Sequence, residues 1–277
     1  MALAPFGRRL ATVAGTEEHG AYRVLRVQDT DGPAPAAGQF AMLAATERWG
    51  GGDADRPHLP RAFSYARWHE GEAHFLLEDV GPGTRRLCEL RAGEQLWTLG
   101  PLGRGFTAPT DGRRAILVGG GVGIAPLAIL QDTLLARVSA AGDGARQSAH
   151  PSTLLGFRDG ERAAGAALLR DPLIATDDGS VGHDGLVTEL LTAELQRDAH
   201  ALVYACGPAP MLEAVRALCA ARAIPAQLAL ESGMACGFGA CFGCVVPTVD
   251  GYIRLCVDGP VLDGAKLESA LVTGAGH

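Results

Sequence analysis

The spacing of hydrophobic positions changes once along the chain. Up to about residue 110, short apolar or alternating runs recur at 9–13, 21–27, 39–43, 62–67 and 73–80, punctuated by glycine and proline as at Gly32-Pro33 and Gly81-Pro82-Gly83. Short strands at this spacing predict an antiparallel β-barrel. Leu87, Cys88 and Leu90 add one short helix after Thr84. Residues 49–57 are polar and glycine-rich and therefore predict a loop; the wider stretch 47–59 discloses no role.

From residue 113 onward the runs become continuous. Ala115-Ile116-Leu117-Val118 is apolar throughout, as expected of a strand buried on both faces. Further strands are predicted at 153–157, 201–205 and 227–230, and helices at 125–138 and 211–221, the second with Leu212, Val215, Leu218 and Cys219 on one face. Strands alternating with helices predict a parallel α/β sheet. Residues 139–150 are small and polar and predict a surface connection. The fold class is thus multidomain, β followed by α/β: a barrel over 1–110, an α/β domain over 111–228, and a small C-terminal segment over 229–277.

That last segment holds the sharpest chemical signal. Cys236, Cys241, Cys244 and Cys256 follow the pattern C-x4-C-x2-C, eleven residues, C. The opening is the plant-type ligand spacing of a [2Fe–2S] cluster. Structural zinc usually takes two C-x2-C knuckles, and here there is one; disulfides need an oxidising compartment. The glycines around these cysteines allow a loop to fold closely and aim N–H groups at sulfur. The remaining cysteines, Cys88 and Cys219 among them, read as core residues, and the eight histidines are scattered without ligand spacing.

Composition narrows the setting. The 277 residues carry an odd number of cysteines, seven, and a net charge of −7, which disfavours nucleic acid as a partner. Residues 1–6 are followed by Arg8-Arg9 and do not read as a signal peptide, and no run of roughly 18 apolar residues stands out as a membrane span. The expectation is a cytoplasmic protein with no membrane and no nucleic-acid partner.

Two glycine turns follow predicted strands. Gly119-Gly120-Gly121-Val122-Gly123 leads into a helix, where a pyrophosphate can rest on backbone N–H groups. The strict G-x-G-x-x-G/A fingerprint is not met, so a tight strand–helix turn is the competing reading. Cys206-Gly207-Pro208 follows the strand at 201–205, at the crevice end of a parallel sheet; Cys206 is equally a small buried strand-end residue. In the barrel, Arg61 beside Ser64 and the Gly83-Thr84 turn can together hold a diphosphate, or they are a solvated arginine and an ordinary helix cap.

Taken together, Arg61-Ala62-Phe63-Ser64, Gly83-Thr84, the run from Gly119 to Leu127, Cys206 to Met211, and Glu231 through Cys244 with Cys256 to Pro260 resemble the ferredoxin-reductase superfamily. More narrowly the chain resembles the electron-transfer subunits of two-subunit, NAD-linked dihydroorotate dehydrogenases. The resemblance spans nearly the whole chain and departs at Ala62, where the family often has proline. It implies that the barrel binds FAD, with Arg61, Ala62, Phe63 and Ser64 lining the flavin and Leu76, Leu77, Glu78, Gly83 and Thr84 holding its ribityl chain and diphosphate. It implies NAD at Gly119, Gly120, Gly121, Val122, Gly123, Cys206, Gly207 and Pro208. Cys236, Cys241, Cys244 and Cys256 would bind the cluster.

The resemblance also implies the function. Nicotinamide exchanges a hydride, a cluster takes one electron at a time, and FAD can do both. No general acid or base pair is needed, and the sequence offers no catalytic residue of that kind. The partner implied is an FMN-containing catalytic subunit that oxidises dihydroorotate, in a heterotetramer with two of each chain, within de novo pyrimidine (UMP) biosynthesis. A related NAD(P)H reductase subunit serving a ferredoxin, hydrogenase or oxygenase would use the same motifs. Phe238 and Phe242, beside the cysteines, either shield the cluster or meet that partner.

Overall fold

A computed structural model describes residues 7–51, 56–140 and 150–271. Parts of the predicted loop at 49–57 and of the connection at 139–150 lie outside these residues. The N-terminal half is a closed six-stranded antiparallel barrel of β1 (Arg9–His19), β2 (Tyr22–Gln28), β3 (Phe40–Ala45), β4 (Arg61–His69), β5 (Glu72–Glu78) and β6 (Gln95–Leu102), in the order β1-β2-β5-β4-β3-β6. Five of these strands coincide with the predicted runs. The sixth, β6, contains Gly100-Pro101, which reads in sequence as a breaker. Its buried Leu96 and Thr98 nevertheless complete an interior shared with Val13, Leu25, Leu43, Tyr65 and Leu77. Helix α1 (Pro82–Cys88) closes one end.

The second half is a seven-stranded sheet. It contains β7 (Arg114–Gly120), β8 (Ser152–Phe157), β9 (Leu173–Thr176), β10 (His183–Asp184), β11 (Ala201–Cys206) and β12 (Ala226–Ala229). The order is β10-β9-β8-β7-β11-β12 and then a strand from the C-terminal segment, β15 (Val261–Asp263). The six strands of the α/β unit are parallel, and β15 is antiparallel to β12. The order reverses between β7 and β11, which places a ligand crevice at their carboxyl ends. Helices α2 (Ile124–Ala140), α3 (Gly160–Ala163), α4 (Val187–Arg197) and α5 (Ala209–Ala221) cover the sheet. Helix α4 buries Val187, Leu191 and Leu195, a four-residue repeat. The C-terminal segment adds the hairpin β13 (Val245–Thr248) and β14 (Gly251–Arg254), the short helix α6 (Leu255–Asp258), and β15.

Helix α2 is the one described stretch that bears on the membrane question. The stretch Gly121–Ala140 is long and apolar enough to cross a bilayer by length and composition, yet 56% of its most apolar window is buried in the fold. Its buried positions, Ile124 to Gln131 and Leu134, lie in the N-terminal two-thirds of the helix. Here it is packed in the core beside Leu117, Leu155 and Tyr204, with its flank held by an ion pair from β4, Arg67 to Asp132 (2.9 Å). Barrel and sheet are further joined by Arg162 of α3 on Glu78 of β5 (2.9 Å) and by Tyr204 Oη donating to the Thr107 carbonyl (2.8 Å).

The C-terminal segment is tied to α5 through Glu213. Its carboxylate pairs with Arg216 (2.6 Å) and accepts from the Ala270 N–H (2.6 Å) and the Ser269 hydroxyl (3.1 Å). Arg216 foremost, opposed by desolvation and helped by the Ala270 and Ser269 donors, lowers the Glu213 carboxyl to about 2. A depressed carboxyl stabilises the fold above its unfolded-state value and loses that contribution as the pH falls through the folded one. Glu213→Gln is therefore expected to cost on the order of 1–2 kcal/mol at neutral pH after solvent screening. The deficit against wild type should shrink as the pH falls from about 4.5 toward 2 in denaturant melts. A pH-independent deficit would contradict the assignment.

Candidate functional site

Three features of the chain converge on the junction between barrel and sheet. The first is a split between strands. β4 and β5 are paired from Tyr65, opposite Phe75, to His69, opposite Glu72. Before Tyr65 they part: Arg61 to Ser64 follow β3, and Leu76 to Glu78 follow β2. The backbone groups on the two facing edges therefore need another partner. At the open end, the Arg61 guanidinium donates to the Leu59 carbonyl (2.6 Å) and lies 5.9 Å from the centre of the Trp49 ring. It also covers Gly83, where a Cβ would come within 2.6 Å of Arg61 Nε. Arg61 and Gly83-Thr84, distant in sequence, thus share one spot with the charge and the bare backbone that a diphosphate needs.

Two expectations about this spot change. Thr84 does not cap α1; Gly81 precedes the helix, and the Thr84 hydroxyl accepts from the Val80 N–H (2.9 Å) and donates to the Gly81 carbonyl (3.0 Å). The hydroxyl is spent on shaping the turn, which leaves the main chain to meet a ligand. The carboxylate of Glu78 receives Arg162, through Nη2 (2.9 Å) and Nε (3.1 Å). Leu76 and Leu77 are buried, so they too offer only backbone. Opposite Glu78, the phenol of Tyr22 is buried without a hydrogen-bond partner, and burial, then the Glu78 charge, raises its pKa.

The second feature is a pair of glycine turns in contact. Gly119 and Cys206 are register partners on β7 and β11. A Cβ on Gly123 would meet the Cys206 backbone at 2.5 Å, and one on Gly207 would come within 3.0 Å of the Gly120 nitrogen. These glycines let the two turns pack on one another. Gly121 differs: its φ is +55° and nothing lies within 4 Å of a Cβ built there. It faces open space at the start of the 3₁₀ turn Gly121–Gly123 that leads into α2, where backbone can approach a pyrophosphate. Cys206 is buried, and desolvation, then the charge of Glu231, keeps its thiol well above the ordinary value. Glu231 has water-accessible surface, yet enough protein surrounds it that desolvation raises its carboxyl.

The third feature is the cysteine loop between β12 and β13. It crosses the barrel wall, where a Cβ on Gly237 would strike Met42 Cγ at 2.5 Å; Gly237 has φ +79° and Gly239 φ +88°. The four thiols fall into two pairs, Cys236 beside Cys241 and Cys244 beside Cys256. Burial opposes ionisation of Cys236, but N–H groups of Cys241, Phe238 and Ala240 aimed at its sulfur bring it down to about 6. Burial, then the contact with Cys244, pushes Cys256 up to about 12. Gly243 N–H points at the Cys241 sulfur and Cys256 N–H at that of Cys244, each at 3.4 Å. Among the described residues no three His, Cys, Asp or Glu converge on a single ion. Four thiols with N–H groups directed at sulfur suit the two-iron cluster that the cysteine spacing predicts.

Comparison with known proteins agrees with this geometry. Residues 231–268 match the iron-sulfur cluster binding domain of dihydroorotate dehydrogenase B. The dihydroorotate dehydrogenase B (NAD(+)) electron transfer subunit of Geobacillus thermodenitrificans (strain NG80-2) is 38% identical over 241 residues, 83% of this chain and 86% of that protein. The chain belongs to this family. The same subunit from Caldanaerobacter subterraneus subsp. tengcongensis is 34% identical over 234 residues, again 83% of this chain and 86% of that protein. In fold, the chain is similar to a solved NADH-dependent reduced ferredoxin-NADP oxidoreductase, with TM-score 0.76 and 21% identity over 98% of this chain and 94% of the other.

Sequence reasoning left several residues of the junction without a role: Glu231, Arg162, Tyr22 and Ser232, whose hydroxyl is buried without a partner. Glu231 and Ser232 stood inside the motif that carries the family resemblance, but only the fold sets Glu231 beside Cys206. Gly237→Ala is expected to destabilise the loop by more than the ~1 kcal/mol ordinary for a positive-φ glycine, since the added methyl also meets Met42. Lower iron content after purification and a reduced melting temperature would register this; a wild-type melt and full iron would contradict it.

Proposed function

We propose that this chain carries electrons from a dihydroorotate-oxidising catalytic subunit, through a [2Fe–2S] cluster and FAD, to NAD+ in de novo pyrimidine (UMP) biosynthesis. The observation that carries this reading is the two-and-two arrangement of thiols on a loop that lies between the barrel and the parallel sheet, in a chain of this family. By function the chain divides into an FAD unit at 1–110, an NAD unit at 111–228 and a cluster unit at 229–277. Bound FAD supplies the conversion between hydride chemistry and single-electron traffic.

The residues have separate tasks. Cys236, Cys241, Cys244 and Cys256 hold the cluster, two thiolates to each iron. Arg61 neutralises diphosphate charge, Gly83 and the backbone at Thr84 give it room, and the split between Arg61-Ala62-Phe63-Ser64 and Leu76-Leu77-Glu78 offers main-chain donors and acceptors to the flavin. Gly121 admits the pyrophosphate of NAD at a turn built by Gly119, Gly120, Val122 and Gly123 against Cys206, Gly207 and Pro208. Cys206 stays a neutral thiol.

The partner is an FMN-containing catalytic subunit, in a cytoplasmic heterotetramer with two of each chain. Electron transfer needs short distances, so the contact surrounds the cysteine loop. Cys241 is exposed there, Phe242 is 63% exposed, and Tyr252 of the neighbouring hairpin is 80% exposed. Large apolar side chains exposed together are a mark of an interaction surface.

Four measurements test the reading. Arg61→Ala should weaken FAD binding by about one to two decades, the equivalent of one or two charge-assisted hydrogen bonds; unchanged affinity would leave Arg61 a surface charge. Cys241→Ser should abolish the paramagnetic signal of the reduced [2Fe–2S] cluster, and an unchanged signal would remove Cys241 from the ligand set. The isolated chain should oxidise NADH with artificial acceptors and turn over dihydroorotate only after an FMN-bearing subunit is added. Phe242→Asp should weaken that assembly more than it weakens NADH oxidation. Dihydroorotate turnover by the isolated chain would overturn the assignment.

A further inference from the structure

The cysteine loop has three arms, and one side chain touches or adjoins each of them. Arg254 ends β14, two residues before Cys256. Its Nη1 donates to the Gly239 carbonyl (2.9 Å), between Cys236 and Cys241. Its guanidinium also lies 5.1 Å from the ring centre of Phe242, between Cys241 and Cys244. Gly239 is bare at this point: a Cβ there would come within 3.2 Å of Arg254 Nη1 and 2.7 Å of Val257 Cγ2. Phe242 holds φ +60°, uncommon for a residue with a side chain, and so presents its ring to the guanidinium from a constrained turn.

Among the described residues no carboxylate forms an ion pair with the Arg254 guanidinium. Asp258 accepts from the main-chain N–H of Arg254 (3.2 Å), and the guanidinium itself is engaged by a carbonyl and a ring. Gly239 is two residues from Cys241, a Cα separation of at most about 7.6 Å. The guanidinium, bonded at Gly239 and set against Phe242, therefore stands beside the Cys241 arm of the loop. Adding an electron to a cluster makes it more negative, so a fixed cation beside it favours the reduced form.

We propose that Arg254 is a positioning residue for the cluster: by bridging the arms of the cysteine loop it fixes a guanidinium charge there and makes the cluster easier to reduce. The proposal rests on the cluster reading given above. A guanidinium presents several donors in a fixed plane to the Gly239 carbonyl and the Phe242 ring, whereas a lysine ammonium would keep the charge in a less defined seat.

The test is a redox titration of the full, cluster-loaded chain followed by electron paramagnetic resonance. Arg254→Gln should shift the one-electron equilibrium about tenfold toward the oxidised cluster, about 59 mV for a one-electron couple. Arg254→Lys should fall between that variant and wild type. Phe242→Leu, which leaves the charge but removes the ring, should shift in the same direction by less than Arg254→Gln. A wild-type potential in Arg254→Gln overturns the proposal. If Arg254→Gln fails to retain a cluster, Phe242→Leu decides: an unchanged potential there overturns the proposal, and a lowered one upholds it. A wild-type chain without a [2Fe–2S] signal would instead overturn the cluster reading itself.

Discussion

The arrangement depends on the packing of α2 between the parallel sheet and the barrel wall. Its apolar surface has no counterpart in water, so barrel and sheet must close on it. That closure brings β4, the strand with Arg61 and Ser64, alongside the helix that the 119–123 turn begins. The ion pairs Arg67–Asp132 and Arg162–Glu78 add orientation at the rim, where exposed charges contribute modestly to stability. The apolar contact holds the two halves together, and the ion pairs restrict how they turn on each other.

The two candidate nucleotide sites are made of backbone more than of side chains. The Thr84 hydroxyl is consumed by its own turn, Glu78 by Arg162, and Leu76 and Leu77 by the core. What remains available is the main chain, opened by strand separation at β4 and β5 and by the bare turn at Gly121. The cysteine loop differs: its donors are side-chain thiols, with N–H groups turned toward sulfur at Cys236, Cys241 and Cys244.

The legible parts of this fold were those encoded locally. Cysteine spacing is a short-range property, and the buried strands at 115–118, 153–157 and 201–205 announce themselves by unbroken apolar runs. β6 escaped because Gly100-Pro101 interrupts it, and β9, β10 and α4 went unassigned between the stronger signals at 157 and 201. Glu231 was visible as a letter in a motif, but its desolvation and its effect on Cys206 arise only from tertiary packing. Arg61 and Gly83 could be suspected separately; their contact is a product of barrel closure. The apolar stretch at Gly121–Ala140 is long and apolar enough for a membrane by length and composition, and its burial against the sheet and β4 is a tertiary property.

The strand β15 gives the cysteine segment a second hold on the molecule. By pairing antiparallel with β12 through Gln227–Asp263, Leu228–Leu262 and Ala229–Val261, it covers what would otherwise be the open border of the parallel sheet. An uncovered border of this kind is a template for pairing with other chains. The electron-carrying appendage therefore cannot be trimmed away to leave a well-behaved two-domain reductase. The same few residues that follow the last cysteine also protect the sheet from self-association, so the chain's solubility and its ability to carry electrons are bound to one segment.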